Sequence, residues 1–334
     1  MKLGIIGATG AVGKVFLDLL PNSNLNITEL RLSASSRSIG KKINYQSHEY
    51  TIQENSDNFY LGLDFVFSSA SSEVSKIAAE KSKEHNVIMI DDSSEFRLND
   101  DVPLVIPEIN PDSLNEHNGI IAIPNCTTTP LAMILDALRS EYELKRIIVD
   151  TYQAVSGTGN LAIEELINQT KHYIETGKVS EEMNVYPHTI GLNLIPHVEE
   201  PQENLYTKEE MKMLYETRKI LSEPNLKISA TCVRVPVIRC HSESINVEFF
   251  SNPDLSLITN LFNDYKGITV IDDISTNSYP TPIFGEGKND VFVGRLRKDI
   301  SNENAINLWV VSDNLVKGAA LNAIQILEVF QKIG

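Results

Sequence analysis

A chain of 334 residues exceeds one ordinary hydrophobic core and suits two domains. Its 42 % hydrophobic and 22 % charged content is that of a soluble globular protein, and no apolar run approaches the roughly 20 residues that span a bilayer. A formal charge of −16, from 29 Lys and Arg against 45 Asp and Glu, argues against a nucleic-acid partner, because most of the surface repels phosphate.

The first residues, MKLGIIGATG, lack the long apolar core and cleavage site of a signal peptide, so the expected compartment is the cytoplasm. KLGIIG reads as a strand and GAVGKVFLDLL as a helix, with LRLSAS and DFVFSSA as the next strands. SEVSKIAAEKSKEHN carries apolar residues at helical spacing behind a serine cap. NVIMIDDS and GIIAIPN follow as buried, parallel-type strands. Strands interleaved with helices mean βαβ units, hence an α/β, doubly wound sheet. After Leu144 the texture changes. KRIIVDTYQAVSG, KISATCVRVPVIRC, ESINVEFF and INLWVVSD are long strand candidates, with helices such as IEELINQTKHYIETG and KEEMKMLYETRKILS between them. Such strands suit an antiparallel or mixed sheet open on one face. NVYPHTIGLNLIPHVEEPQEN is the least regular stretch and reads as a surface excursion. NLVKGAALNAIQILEVFQKI reads as an apolar-striped closing helix.

Gly7-Ala8-Thr9-Gly10-Ala11-Val12-Gly13, between the first strand and the first helix, is a GxxGxxG variant of the dinucleotide fingerprint. Glycines there permit a tight turn and close backbone approach, and the helix N-terminus presents N–H groups and a positive dipole end to a pyrophosphate. A glycine turn made for packing alone is the competing reading; the position between strand and helix favours the fingerprint. NAD-preferring versions carry an acid at the end of the second strand. Here LRLSASSRSIGKK has none between Leu30 and Lys42, and Ser35, Arg37 and Ser38 suit a 2′-phosphate, so NADP is the expected cofactor.

Cys126 lies in PNCTTTP, between strand-like GIIAIP and helical LAMILDALR. A helix beginning at Thr127 or Thr128 would put the thiol at its N-cap, where the dipole stabilises an anion by roughly 0.3–1 kcal/mol. A nucleophilic thiolate is favoured over a buried structural thiol, and stronger activation requires a nearby cation or histidine. The three cysteines, Cys126, Cys232 and Cys240, contain no CxxC pair and fit neither a disulfide framework nor a zinc site. Cys232, in an alternating run, reads as core.

GATGAVG, SSEFR, PNCTTTP, YQAVSGTG, EEMK, CVRVPVIRCHSE and VSDNLVKGAA, in that order from residue 7 to residue 320, resemble the bacterial aspartate-semialdehyde dehydrogenases. The likeness covers essentially the whole chain. The glycine motif is shared with many enzymes, whereas PNC and the block from Arg234 to His241 are specific. The resemblance implies a Rossmann-like domain of residues 1–129 plus 315–334 that binds NADP. An α+β catalytic and oligomerisation domain of 130–314 would be inserted before the C-terminal helix. It further implies reversible NADPH-dependent reduction of L-aspartyl 4-phosphate to L-aspartate 4-semialdehyde with release of phosphate, on the route to lysine, threonine, methionine and diaminopimelate. The expected assembly is a homodimer or homotetramer.

Position by position, Cys126 resembles the nucleophile that becomes acylated, His241 the general acid/base, and Gln153 the residue that orients the covalent intermediate. Arg234 resembles the bidentate partner of the substrate α-carboxylate, and Glu209 the acceptor for its α-ammonium. Arg97, Asn125 and Lys212 resemble the phosphate-holding set. Gly7, Thr9, Gly10, Ala11, Val12, Gly13, Ser35, Arg37, Ser38, Ser156, Gly157 and Asn314 resemble contacts to the dinucleotide, and no metal is implied. The residue types suit these roles, since a thiolate attacks an acyl phosphate, fixed cations receive the leaving phosphate, and a planar guanidinium matches a carboxylate.

Taken singly, Arg97 and Arg234 also fit salt-bridged surface positions, Glu209 and Lys212 an exposed i,i+3 ion pair, Gln153 a loop cap and His241 a structural histidine. Their joint occurrence with Cys126 is what turns the argument. An N-acetylglutamyl-phosphate reductase would share the turn and thiol, but its substrate has no free ammonium for Glu209. A catalytically silent scaffold would not be expected to keep both Cys126 and His241. The stretch from Lys178 to Glu200 is shorter than in several members of the family, which leaves loop or interface detail open. Arg234 and His241 are seven residues apart, an odd separation that sends them to opposite faces of an unbroken strand. A break or bulge near Pro236 is therefore predicted if both reach one pocket.

Overall fold

The apolar runs of the N-terminal third become parallel strands, as their burial on both faces requires. The computed structural model describes residues 1–46 and 48–333, and the chain divides into two units, Met1–Asn125 with Ala319–Gly334, and Cys126–Gly318. The crossings thus fall at Asn125/Cys126 and Gly318/Ala319 rather than at residues 129 and 315. The reason is packing: a Cβ placed on Gly318 would come within 2.8 Å of Cys126 Cβ, so these two crossing segments belong together.

In the first unit, β1 (Lys2–Ile6) leads into α1 (Ala11–Leu19), followed by β2 (Glu29–Ser33), a hairpin of β3 (Lys42–Tyr45) and β4 (His48–Thr51), and the single turn α2 (Asp57–Tyr60). β5 (Phe65–Ser68), α3 (Ser72–Glu84), β6 (Ile88–Asp91) and β7 (Ile120–Ala122) continue it, and the closing helix Leu321–Ile333 returns to it. The strands pair in parallel in the order β2-β1-β5-β6-β7. Leu3, Ile5, Val66, Phe67, Met89 and Ile90 are fully buried, and Phe16 of α1 stacks on Phe67 with ring centroids 4.6 Å apart. Ser71 caps α3 by accepting from the Val74 N–H, as the sequence predicts. The closing helix is tied in by Asn322, which donates to the Val105 carbonyl at 2.8 Å, and by Gln325, which donates to Glu108 at 2.8 Å.

Sheet order reverses between β1 and β5, the switch point at which open α/β sheets bind ligands. Gly7 ends β1 there with φ +86°, and a Cβ on it would lie 2.1 Å from the Ser69 carbonyl oxygen. A Cβ on Gly13 would lie 2.3 Å from the Gly7 carbonyl oxygen. The spacing of the glycines is therefore demanded by the turn's own packing.

The second unit contains α4 (Thr128–Arg139), β8 (Leu144–Gln153), α5 (Asn160–Thr176), α6 (Lys208–Leu221), β9 (Lys227–Arg234), β10 (His241–Phe249), α7 (Leu255–Asp264), β11 (Ile268–Val270), β12 (Val291–Lys298) and β13 (Ala305–Ser312). Its sheet runs β11-β12-β13-β10-β8-β9 and is mixed, with β8·β9 and β11·β12 parallel and the other pairs antiparallel. On β10 the residues His241, Glu243, Ile245, Val247 and Phe249 are buried, whereas Ser244, Asn246 and Glu248 alternate with them and are half-buried. The opposite, open face carries Tyr152, 38 % exposed, whose ring lies 5.3 Å from that of Trp309.

The hairpin β3–β4, α7, β11 and β12 carry no signal in the sequence reading: all but α7 and β12 are three or four residues long, and β12 is interrupted by a register shift between Gly294 and Arg297. The closing helix begins later than its apolar pattern, after a π-turn at Val316–Ala320. Residues 177–207 form neither helix nor strand, as expected, but they are not purely a surface excursion. Ile195 and Arg234 exchange backbone hydrogen bonds of 3.0 and 2.8 Å, and Ile190 is buried.

Gly13→Ala should destabilise the protein by about 1–3 kcal/mol, the usual cost of overpacking. Lys14→Ala, at an exposed position one residue on, should change stability little. Chemical denaturation of both variants checks the pair; equal stability would contradict the role given to the turn.

Candidate active site

Residues opposite one another in a sheet share a face, so strand register converts directly into rows of side chains. Arg234 on β9 is opposite Gln153 on β8, and His241 on β10 is opposite Ser312 on β13. Tyr152 is opposite Ser242, which puts Gln153 and His241 next to each other on the buried face. Arg234, Gln153, His241 and Ser312 therefore form one row at the sheet's end. Cys232, Thr151, Glu243 and Val310 form the row behind it.

The predicted break is present, and it goes further than a bulge. β9 ends at Arg234 and β10 begins at His241, so KISATCVRVPVIRC is not one strand, and the two residues flank β8 from opposite sides. Between them Cys240 adopts φ +71°, a left-handed conformation that costs a non-glycine residue roughly 1–3 kcal/mol. Asn314 holds it there, its Oδ1 accepting from the Cys240 N–H at 3.0 Å, while its amide donates to Ser156 Oγ at 3.0 Å. Ser156 and Asn314 are both buried and brace the approach to His241. Gly157, expected beside them, is exposed; a methyl there would stand 3.4 Å from both Arg234 Nη1 and His241 Nε2. The missing side chain thus lets the backbone at Gly157 lie close against the arginine and the histidine.

Cys126 Sγ lies 3.2 Å from His241 Nε2, the imidazole neighbour that an activated thiol requires. α4 begins at Thr128 with Thr127 as its cap, so the thiol sits one residue outside the N-cap rather than on it. The helix dipole is correspondingly weaker at sulfur, since its effect is confined to the helix's terminal turn. His241 Nδ1 accepts from the Ala154 N–H at 3.0 Å. Burial, and then the nearby Arg234 cation, push the His241 pKa down to about 3, against the opposing pull of Glu209.

Arg234 is buried; its Nη1 donates to the Ala154 carbonyl at 2.8 Å, while its Nε has no hydrogen-bond partner among the described residues. Its guanidinium lies 5.8 Å from the Tyr186 ring centroid. Gln153 is locked at both ends: Oε1 accepts from Thr151 Oγ1 at 3.0 Å and Nε2 donates to Glu209 Oε1 at 3.0 Å. Glu209 also accepts from Lys212 at 3.1 Å, and Lys212 pairs in addition with Glu199. Glu209 and Lys212 are buried, not an exposed i,i+3 pair. Burial alone would raise the Glu209 pKa, but Lys212, Gln153 and Arg234 together outweigh it and hold the carboxyl below its ordinary range.

In the first unit, Gly7, Thr9, Gly10, Ala11, Val12 and Gly13 form the turn described above, and Ser35 precedes a short 3₁₀ turn in which Arg37 is exposed and Ser38 buried. Arg97 is buried and donates through Nη2 to the Asp92 carbonyl at 2.7 Å; Asn125 is buried as well. Sequence reasoning missed Ala154, because it acts through its backbone. It also missed Gly318, whose lack of a side chain lets the chain pass against Cys126. Glu243 was detectable, since it stands two positions after His241 and so shares its face. It is 1 % exposed, neither carboxyl oxygen has a hydrogen-bond partner among the described residues, and burial raises its pKa well above the ordinary value.

The semialdehyde dehydrogenase NAD binding domain matches residues 2–117, and the semialdehyde dehydrogenase dimerisation domain matches residues 135–317. The fold is thus that of a nucleotide-dependent oxidoreductase of the semialdehyde dehydrogenase class. An aspartate-semialdehyde dehydrogenase of Aquifex aeolicus is 45 % identical over 100 % of this chain and 98 % of its own. The aspartate semialdehyde dehydrogenase II of Vibrio cholerae, solved in complex with ASA, superposes with a TM-score of 0.95 at 38 % identity over 99 % of this chain and 98 % of that one. The Candida albicans enzyme solved with NADP has a TM-score of 0.74 at 26 % identity, over 99 % of this chain and 98 % of that one. The chain belongs to the aspartate-semialdehyde dehydrogenase family. Among the described residues no helix is long and apolar enough to cross a membrane.

Glu243 gives a signed pH prediction. Its folded pKa is raised, so its contribution to stability is complete below the unfolded value and is lost as pH rises toward the folded one. Glu243→Gln removes that loss, and the variant's melting temperature relative to wild type should climb from about pH 5 to about pH 8. A difference that stays flat or falls over that range would contradict a buried, protonated Glu243.

Proposed function

We propose that this chain catalyses the reversible NADPH-dependent reductive dephosphorylation of L-aspartyl 4-phosphate to L-aspartate 4-semialdehyde and phosphate. The reaction proceeds through a thioester on Cys126 and serves lysine, threonine, methionine and diaminopimelate synthesis. The observation that carries this reading is the 3.2 Å approach of Cys126 Sγ to His241 Nε2, in a row that also holds Arg234. Sulfur attacks the acyl carbon, the C–S bond forms, and the C–O bond to phosphate breaks. Bound NADPH supplies the hydride that reduces the thioester. Arg97, Asn125 and Lys212 hold the phosphate, where fixed donors favour the leaving dianion.

The unpartnered Nε of Arg234 suits the substrate α-carboxylate, because a planar fork with one arm already anchored on Ala154 is pre-oriented for it. Glu209, kept ionised by its neighbours, receives the α-ammonium. Gln153, immobilised between Thr151 and Glu209, orients the acyl intermediate. Gly7, Thr9, Gly10, Ala11, Val12, Gly13, Ser35, Arg37 and Ser38 bind the dinucleotide, joined by Ser156, Gly157 and Asn314. The exposed Arg37, with no acid between Leu30 and Lys42, favours NADP over NAD, and the Candida albicans relative solved with NADP supports that choice. The protein works in the cytoplasm as a homodimer or homotetramer; the open sheet face around Tyr152 and Trp309 is suited to the contact.

The test is steady-state oxidation of aspartate semialdehyde with phosphate, comparing NADP with NAD. NADP should give the higher kcat/KM, and preference for N-acetylglutamate semialdehyde would overturn the substrate. Cys126→Ala should abolish turnover while leaving NADP affinity near normal. Arg234→Lys should raise KM about tenfold or more, the loss expected when a charge-assisted hydrogen bond goes. An unchanged KM would mean that the carboxylate is held elsewhere.

A further inference from the structure

We infer that Tyr186 is a positioning residue for the substrate: its ring backs the Arg234 guanidinium and fixes the edge that receives the α-carboxylate. The inference rests on the dehydrogenase reading for what Arg234 binds.

Tyr186 lies in NVYPHTIGLNLIP, within the stretch that forms neither helix nor strand. Pro187 disfavours helical backbone at the residue before it, so the segment needs anchors from elsewhere. α5 supplies them through Glu165 and Gln169, both buried and one helical turn apart. Glu165 Oε2 accepts from the Asn184 and Val185 N–H groups at 2.8 and 2.6 Å, just before Tyr186. Gln169 Oε1 accepts from the Ile190 and Gly191 N–H groups at 2.9 and 2.8 Å, just after it. Val185 and Tyr186 pack on the buried cluster of Val155, Ala162, Leu166, Ile190 and Ile195. Ile195 in turn exchanges its backbone hydrogen bonds with Arg234. The tyrosine is held on both sides along the chain, without regular structure.

One turn fixes both the ring and the arginine. Tyr186 Oη donates to Thr158 Oγ1 at 3.0 Å, and Thr158 ends the 3₁₀ turn Val155–Thr158 that follows Ala154. The Ala154 carbonyl accepts from Arg234 Nη1 at 2.8 Å. Ring and guanidinium therefore share one frame, with Cζ over the ring at 5.8 Å from its centroid, within reach of a cation–π contact.

With Nη1 committed to Ala154 and one face against the tyrosine, the Nε–Nη2 edge is what remains for a ligand, and such an edge pairs with both oxygens of a carboxylate. Without the ring, that face would take up water and the guanidinium would regain rotational freedom. An arriving carboxylate would then have to order it. The loss falls on binding of the molecule that carries the carboxylate, so it belongs in KM for the semialdehyde and not in the steps at the acyl group. A ring that merely filled space would weaken the fold without singling out one substrate.

Steady-state oxidation of aspartate semialdehyde, with semialdehyde, phosphate and NADP varied in turn, tests this. Tyr186→Leu should raise KM for the semialdehyde about fivefold to thirtyfold, and leave kcat and the KM values for phosphate and NADP within about twofold. Tyr186→Phe, which keeps the ring and loses the tether to Thr158, should stay within about threefold of wild type throughout. If the leucine variant does not fold, Tyr186→Met takes its place, since it fills the space without a ring. An unchanged semialdehyde KM in the leucine variant, or all three KM values raised together, would overturn the proposal, as would a phenylalanine variant as weak as leucine. A double-mutant cycle of Tyr186→Leu with Arg234→Met, read by chemical denaturation, measures the contact without substrate. The two losses should be less than additive; full additivity would remove the contact. Wild-type protein that oxidises no aspartate semialdehyde would end the dehydrogenase reading, while the cycle would still report on ring and guanidinium.

Discussion

Residue Ala154 is held on both sides of its backbone, and the geometry of the thiol site depends on it. Its N–H meets His241 Nδ1 and its carbonyl receives Arg234 Nη1. One short turn at the end of β8 thereby sets the imidazole that faces the sulfur and the guanidinium that stands two strands away. A backbone contact is a suitable device for this, because peptide groups in a clamped turn have little rotational freedom. The side-chain braces around it, Asn314 to Ser156 and Asn314 to Cys240, hold the neighbouring turn against strain at a left-handed cysteine.

The sheet does the remaining positioning. Because β8 lies between β9 and β10, residues far apart in the chain fall into one row, and Gln153 is the middle member that couples Arg234's side of the site to His241's. Thr151 and Glu209 fix that glutamine from opposite ends. The row is almost entirely buried, so charges there act at low effective dielectric: Glu209 stays ionised because Lys212, Gln153 and Arg234 outweigh its burial, and His241 is kept neutral first by burial and then by the Arg234 cation. Behind it, Glu243 has no hydrogen-bond partner among the described residues to offset its desolvation, and burial raises its pKa.

Much of this is legible in the sequence alone. Strand and helix patterns in the first unit correspond to observed elements, the glycine spacing sits at the switch point, and the odd spacing from Arg234 to His241 demands the break that is found at residues 235–240. Other features leave no trace there. The order β9-β8-β10 is a long-range pairing that local periodicity does not encode, so the row could not be assembled in advance. Thr127 rather than Cys126 caps α4, a one-residue difference below the resolution of any capping pattern. Ala154 and Gly318 act by a backbone amide and by an absent side chain, and neither declares itself in residue type.

The central claim is that the sulfur facing His241 is the atom that takes the acyl group from the phosphorylated substrate. Its most direct test is to mix the protein with L-aspartyl 4-phosphate in the absence of reductant, follow phosphate release, and map the mass of the acidified protein's peptides. The account predicts a rapid phosphate burst equal to the number of chains, with the aspartyl adduct on the peptide that contains Cys126. No burst, or an adduct on the peptide of Cys232 or Cys240, would contradict it.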